Sequence, residues 1–247
     1  MKIYESLLST SKTKGAAYLV LVDPDKIYPE KLPAFIQQAT TAGADAFLVG
    51  GSLITDDSFE RCIVSIKQNT NVPVVIFPGG VTQISAKADA ILFLSLLSGR
   101  NPEHLIGDQV LAAPIVKKIG LEAISTAYML VESGKTTSAE FISNTRPLPR
   151  HKPDIALAHA LAAEILGFKM IYLEAGSGAD QSVPEEMIAA VARYCTVPLI
   201  VGGGIRTPNE ARNKVAAGAN FLVTGTVFEK NGDAALMKEF AAAIHNK

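Results

Sequence analysis

Short, predominantly apolar runs alternate with longer mixed stretches along the whole chain, eight times over. The runs are Ala17–Val22, Ala46–Val49, Val74–Phe77, Ala90–Leu94, Glu122–Leu130, Met170–Leu173, Leu199–Val201 and Phe221–Val223. Strands buried on both faces read in this way, because neither side of the pleat meets water. The stretches between them, at roughly 29–42, 56–69, 82–88, 102–118, 153–167, 184–195, 208–218 and 233–246, are expected to be helices. Asp56-Asp57-Ser58 and Pro184-Glu185-Glu186 place acids in a first turn, and Thr207-Pro208 supplies an N-cap followed by a first-turn proline. Gly43, Gly120, Gly167 and Gly218 each follow a helix and precede a strand, where a left-handed residue ends the helix.

Strands alternating with helices in this rhythm form a parallel sheet, and eight units favour closure into a (β/α)8 TIM barrel over an open doubly wound sheet. The α/β chain of 247 residues is accordingly read as a single domain. One departure is the stretch 132–153 after the fifth strand, longer than an ordinary connection and rich in Ser, Thr, Pro and basic residues. Such length marks a lid or binding loop.

Composition narrows the function. A hydrophobic content of 48% is what a two-sided parallel sheet requires, and no apolar run approaches the length of a membrane span. The N-terminal residues lack the apolar core of a secretory signal. A net charge of −1 creates no field to recruit nucleic acid or an anionic membrane. Cys62 and Cys195 are far apart and offer neither a disulfide framework nor a metal spacing, so reduced thiols in a cytoplasmic protein are expected.

Candidate chemistry gathers at the strand ends. Three of the last strands run into glycine: Tyr172-Leu173-Glu174-Ala175-Gly176-Ser177-Gly178, Val201-Gly202-Gly203-Gly204-Ile205-Arg206 and Phe221-Leu-Val-Thr-Gly225-Thr226. Glycine lets backbone N–H groups approach an anion closely, and in barrels the ends of strands 7 and 8 commonly form a phosphate cup. A phosphorylated small molecule is therefore expected. Tyr172 and Glu174 are two apart and share one side of the sheet; an inward glutamate is costly unless it has a polar task. A structural ion pair is the other reading. Strand 1 ends Asp23-Pro24-Asp25 and strand 2 ends Gly50-Gly51-Ser52. A carboxylate beside a hydroxyl suits Mg²⁺, which keeps waters and uses few protein ligands; alternatively both residues cap turns. Strand 3 ends in Phe77, and the run Phe93-Leu94-Ser95-Leu96-Leu97 carries apolar residues past the expected end of strand 4, as an apolar trough or as helix-packing core. Arg146, Arg150, His151 and Lys152 crowd the long loop, gripping a second anion or simply solvated.

Taken together and in order, these motifs resemble the geranylgeranylglyceryl phosphate synthase family, which also contains the heptaprenylglyceryl phosphate synthases. The likeness runs over essentially the whole chain, and the Tyr172–Gly178 heptapeptide is its most specific part. It implies a prenyltransferase that joins sn-glycerol 1-phosphate to geranylgeranyl diphosphate through an ether bond, with Mg²⁺ and release of diphosphate. A longer polyprenyl diphosphate is the alternative donor. By resemblance Asp23 and Ser52 are the Mg²⁺ ligands, and Tyr172, Leu173, Glu174, Ala175, Gly176, Ser177, Gly178, Gly203, Gly204, Gly225 and Thr226 form the glycerol phosphate site. Glu174, supported by Tyr172, is the expected catalytic pair. The apolar residues of strands 3 and 4 become the prenyl trough. The heptaprenyl branch carries a lysine just before the strand 1 Asp-Pro, where this chain has Leu21-Val22, and no tryptophan is present to close the trough. A homo-oligomer and a peripheral membrane contact for product release are the expected associations. Sugar-phosphate isomerases and lyases share the glycine grip, but strand 5 has no terminal aspartate and no strand core contains a lysine.

Overall fold

The computed structural model describes residues 2–54, 56–229 and 233–245. Eight parallel strands close into a barrel in sequential order, β1 through β8, with β8 returning to β1. They are β1 (Ala17–Val22), β2 (Ala46–Val49), β3 (Val74–Ile76), β4 (Ala90–Leu96), β5 (Glu122–Leu130), β6 (Met170–Glu174), β7 (Leu199–Gly202) and β8 (Phe221–Thr224). Helices α1 (Ile3–Lys14), α2 (Leu32–Ala42), α3 (Ser58–Asn69), α4 (Asp108–Ile119), α5 (Ser138–Ser143), α6 (Pro153–Ile165), α7 (Glu185–Tyr194), α8 (Pro208–Ala216), α9 (Thr226–Glu229) and α10 (Ala234–Ile244) lie between and around them. All four glycines expected to stop helices have positive φ, from 69° at Gly120 to 116° at Gly218. None of the described helices is long and apolar enough to cross a membrane.

Alternation along each strand divides the core into two layers. Leu19, Leu48, Val75, Leu92, Ile124, Met170, Ile200 and Phe221 fill the barrel interior, whereas Val20, Phe47, Val49, Ile76, Leu173 and Val201 pack outward beneath the helices. The floor of the barrel is sealed by α1, whose Ile3, Tyr4, Leu7 and Leu8 meet the interior residues. Glu122 at the start of β5 accepts the Ile3 and Tyr4 N–H groups at 2.7 and 3.1 Å, satisfying donors that a helix start leaves unpaired.

Where the structure departs from the sequence expectation, local side-chain bonding or tertiary pairing is the reason. The stretch 82–88 is not a helix but a turn-rich connection. Ser85 accepts the Lys87 N–H and donates to Glu60, and the Gln83 amide is spent on the backbone of neighbouring loops. The Ser85–Lys87 bond competes locally with helical hydrogen bonding, and the bonds to Glu60 and Gly51 hold the turn from distant parts of the chain. Helix α1 was not anticipated, because its apolar positions are few and only barrel closure gives them a surface to cover. The loop 132–153 contains α5 and a parallel bridge between Val131 and Leu148, so it is pinned to the barrel rim rather than loose. The predicted helix 102–118 opens with a π-helical turn over Glu103–Gly107 before α4. Asn246, at the end of the last predicted helix, lies outside the described residues.

Thr207 caps α8 as its sequence promised: its hydroxyl accepts the Glu210 N–H at 3.2 Å while Glu210 accepts the Thr207 N–H at 3.0 Å. Thr207→Ala removes half of this reciprocal cap and is expected to cost about 1 kcal/mol. A lowered urea midpoint with an unchanged slope is the measurement.

Candidate active site

Parallel closure sends every strand's C-terminal end to one rim, and a cavity of about 880 Å³ opens there. One side is polar. Asp23, Ser52, Glu174, Ser177, Gly204 and Thr226 line it, together with Gly176, Gly178, Gly203 and Gly225. The other side is apolar, walled by Phe77, Phe93, Leu94 and Leu96 of the β3–β4 region, by Ala112 of α4 and by Ala139 and Ile142 of α5. The trough exists because β4 is two residues longer than its sequence pattern suggested. Its pairing with β5 continues to Leu96 opposite Tyr128, so Leu94 and Leu96 are carried above the barrel interior. Leu97 does not line the cavity and packs in the outer layer.

Glu174 sits where the polar and apolar sides meet. Glu174 shares one side of β6 with Met170 and Tyr172, as the two-residue spacing required, and in the closed barrel that side faces the axis, where the carboxylate is buried. Its Oε1 accepts the Gly176 N–H at 2.6 Å. Desolvation is the largest influence on this carboxyl and pushes its pKa above the usual value of 4.5, opposed by Tyr172 and the Gly176 amide. Tyr172 lies one layer lower, fully enclosed, with its ring 5.3 Å from Phe77 and 5.4 Å from Tyr128. These three rings form the floor on which Glu174 stands. The Tyr172 hydroxyl lies beside the Glu174 carboxylate without a hydrogen bond of regular geometry, and burial holds its pKa well above 10. A Cβ at Gly202 would meet both that hydroxyl and Glu174 Oε2 inside 3 Å, so β7 must end in glycine for the pair to fit.

The glycine rim is assembled from three strand ends. Gly176, Gly178, Gly203 and Gly204 have positive φ, and a Cβ at Gly203 would fall 2.3 Å from Glu174 Oε1. Among the described residues, the N–H groups of Ser177, Gly178, Gly203, Gly204 and Gly225 have no protein acceptor, while those of Ala175 and Gly176 are spent on Gly202 and Glu174. The Ser177 and Thr226 hydroxyls lie 3.1 Å apart across the rim. Arg206 donates to the Ala179 and Asp180 carbonyls at 2.7 and 2.8 Å, clamping the loop after β6 onto that after β7. Leu173 and Ala175 turn their side chains into the outer layer, so within the heptapeptide they space the polar residues rather than face the cavity.

Asp23 is only 14% exposed through its side chain and stands at the rim beside Gly51, whose Cβ would meet its Oδ1 at 2.8 Å. Ser52 lines the same wall. No cluster of three His, Cys, Asp or Glu exists among the described residues. One carboxylate with one hydroxyl fits a hard cation that retains water and takes oxygens from its substrate, not a dedicated cage. Two residues at this wall escaped the sequence reading. Gln83 is buried and bonds Gly51 and Gly79 through three contacts of 2.7 to 3.3 Å, locking the loops after β2 and β3 together. Lys26 places its ammonium 2.9 Å from Asp23 Oδ2 and 2.9 Å from Ser177 Oγ. Its only signal in the sequence was proximity to Asp23. In the basic loop, Arg150 is tied to the Ser182 and Glu132 carbonyls, and neither Arg146, His151 nor Lys152 lines the cavity.

This geometry defines a (β/α)8 barrel of the kind whose late strand ends receive a phosphorylated molecule, here opening directly onto an apolar trough. The chain belongs to the PcrB family, whose pattern matches residues 10–244. It is 49% identical over 229 residues to the geranylgeranylglyceryl phosphate synthase of Flavobacterium johnsoniae, covering 93% of this chain and 94% of that one. To the synthase of the same name from Chitinophaga pinensis it is 45% identical over 245 residues, covering 99% and 96%. The crystal structure of (S)-3-O-geranylgeranylglyceryl phosphate synthase from Thermoplasma acidophilum in complex with sn-glycerol-1-phosphate superposes over 100% of both chains with a TM-score of 0.95 at 35% identity. Tryptophan synthase of Mycobacterium tuberculosis, at 14% identity and a TM-score of 0.64, shares the fold alone.

Because folding raises the Glu174 pKa, the folded state binds more protons than the unfolded chain between pH 4.5 and that raised value. Stability therefore falls as pH rises through this window, and the cost of the buried charge is complete above it. Glu174→Gln is expected to be more stable than the parent at neutral pH, with the difference vanishing below about pH 4.5. Urea unfolding of the ligand-free proteins across pH 4 to 8 checks the sign.

Proposed function

We propose that the protein is a prenyltransferase that forms an ether bond between sn-glycerol 1-phosphate and geranylgeranyl diphosphate, releasing diphosphate. The observation that carries this reading is the continuity of one cavity from an anion-accepting glycine rim, past a buried carboxylate, into an apolar trough. Neither an isomerase nor a lyase of sugar phosphates has use for the trough. The names of the relatives and the glycerol phosphate complex of the Thermoplasma acidophilum enzyme point the same way.

In this reading the N–H groups of Ser177, Gly178, Gly203, Gly204 and Gly225, with the Thr226 hydroxyl, hold the acceptor's phosphate. Fixing the far end of a small molecule converts the encounter of its hydroxyl with the donor into an oriented, effectively unimolecular step. Glu174 orients that hydroxyl and takes its proton, and its raised pKa makes it a stronger base than an exposed carboxylate. The hydroxyl oxygen bonds to the allylic carbon as the carbon–oxygen bond to diphosphate breaks, and the diphosphate leaves with the electron pair. Asp23 and Ser52 would hold Mg²⁺, which when bound stabilises the charge on the departing diphosphate. The trough walls keep the hydrocarbon out of water and exclude solvent from the reacting carbon. Tyr172 supports Glu174 from beneath through its ring contacts.

The same reading places the protein in the cytoplasm with a peripheral contact to the membrane that receives its product. It also includes a homo-oligomer, supported by exposed Val110, Leu111 and Ile115 on α4 and Ile165 on α6. Exposed apolar side chains on barrel helices offer surface that association would cover.

Incubation with glycerol 1-phosphate and a ladder of prenyl diphosphates, followed by product mass, tests the activity; absence of any ether product with every donor would overturn it. Glu174→Gln is expected to lose roughly 100-fold or more in kcat while still binding glycerol 1-phosphate. Parental turnover in that variant would remove Glu174 as the base. Asp23→Asn is expected to abolish the response of turnover to added Mg²⁺, and an unchanged titration curve would take Asp23 off the ligand set.

A further inference from the structure

Among the described residues, the Lys26 ammonium spans both halves of the polar wall. Its Nζ lies 2.9 Å from the Asp23 carboxylate, on the cation side, and 2.9 Å from the Ser177 hydroxyl, on the anion side. Ser177 in turn touches Thr226, so a continuous chain of polar contacts joins the loop after β1 to the loops after β6 and β8. Lys26 is 40% exposed through its side chain and sits on a turn outside the packed core. Asp23 is far less exposed, and its charge is matched here by this lysine.

We propose that Lys26 is a positioning residue that couples the two binding events, passing from Asp23 to the acceptor's phosphate and leaving the carboxylate to the cation. This deepens the function proposed above and rests on its assignment of acceptor and cation. A phosphate seated against Ser177 and Thr226 lies within reach of the ammonium and carries more charge than a single carboxylate. It therefore competes with Asp23 for Lys26. A divalent cation on Asp23 repels the same ammonium toward the phosphate. Each ligand removes the other's competitor, so each strengthens the other, and linkage requires the two enhancements to be equal. The consequence is cooperative filling: with the acceptor in place Asp23 is fully available to the metal that accompanies the diphosphate, and with the metal in place Lys26 is fully available to the acceptor.

The test is calorimetric and needs no turnover. The affinity for glycerol 1-phosphate is measured with and without Mg²⁺, each corrected by a blank titration, for the parent, Lys26→Met and Lys26→Arg. In the parent, Mg²⁺ is expected to tighten binding by roughly fivefold or more. Lys26→Met weakens binding in the absence of Mg²⁺ and loses most of that enhancement, while Lys26→Arg, which keeps the charge, retains it. A parental enhancement in Lys26→Met overturns the proposal, as does a parent that binds the acceptor equally well with and without Mg²⁺; both results leave the proposed reaction standing. Failure of the parent to bind glycerol 1-phosphate under any condition overturns the function itself and this inference with it. Matching circular dichroism of the three proteins separates lost coupling from lost folding.

Discussion

Closure of the sheet between β8 and β1 is the constraint on which the site depends. Pairing of Val20 with Thr224 brings the first strand against the last, and the backbone of Leu21 packs against Gly225. Without that seam Asp23 and Thr226 would be separated by nearly the whole chain. With it, Lys26 can touch both Asp23 and Ser177, and a cation wall built from β1 and β2 stands beside an anion rim built from β6, β7 and β8. Parallel barrels place all such ends on one face, which is why chemistry gathers there while the opposite face is given over to stability. Here that opposite face carries the α1 plug and the cluster in which Asp45 binds Lys14, His245 and the Tyr18 N–H.

The buried glutamate shows how the fold accommodates a costly group. An inward carboxylate under a largely apolar cavity would ordinarily be expelled or neutralised. Glu174 is retained by one short amide contact from Gly176, by the neighbouring phenol and by an aromatic floor that prevents it from sinking. The glycines around it are there for space as much as for donors: side chains at positions 202 and 203 would occupy the volume its oxygens need. Burying a carboxylate costs stability, and the packing of the rest of the barrel offsets that cost.

The apolar wall has a different origin. It arises from unequal strand lengths, β3 having three residues and β4 seven, so that β4 and β5 rise above the rim on one side. The loop after β5 then folds over that rise, held by the Val131–Leu148 bridge and by Leu148 bonding to Leu130. The loop is thus a wall of the trough through α5, and its arginines serve neighbouring carbonyls or face away from the cavity.

Much of this was legible in the chain. Continuous apolar runs and their spacing determined the eight strands and their order, because residues buried on both faces of a parallel sheet leave no room for polar alternation. The two-residue spacing of Tyr172 and Glu174 determined that both share one side of the strand, and glycine after three successive strands marked the rim. What the sequence could not decide was distance across the barrel. Helix α1, the turn at 82–88 and the positions of Lys26 and Gln83 depend on partners far away in the chain, and long-range contact is not a property of local pattern. Whether Phe93, Leu94 and Leu96 were trough or core was likewise decided by tertiary pairing, since an apolar side chain reads the same in sequence whether it faces a helix or an open cavity.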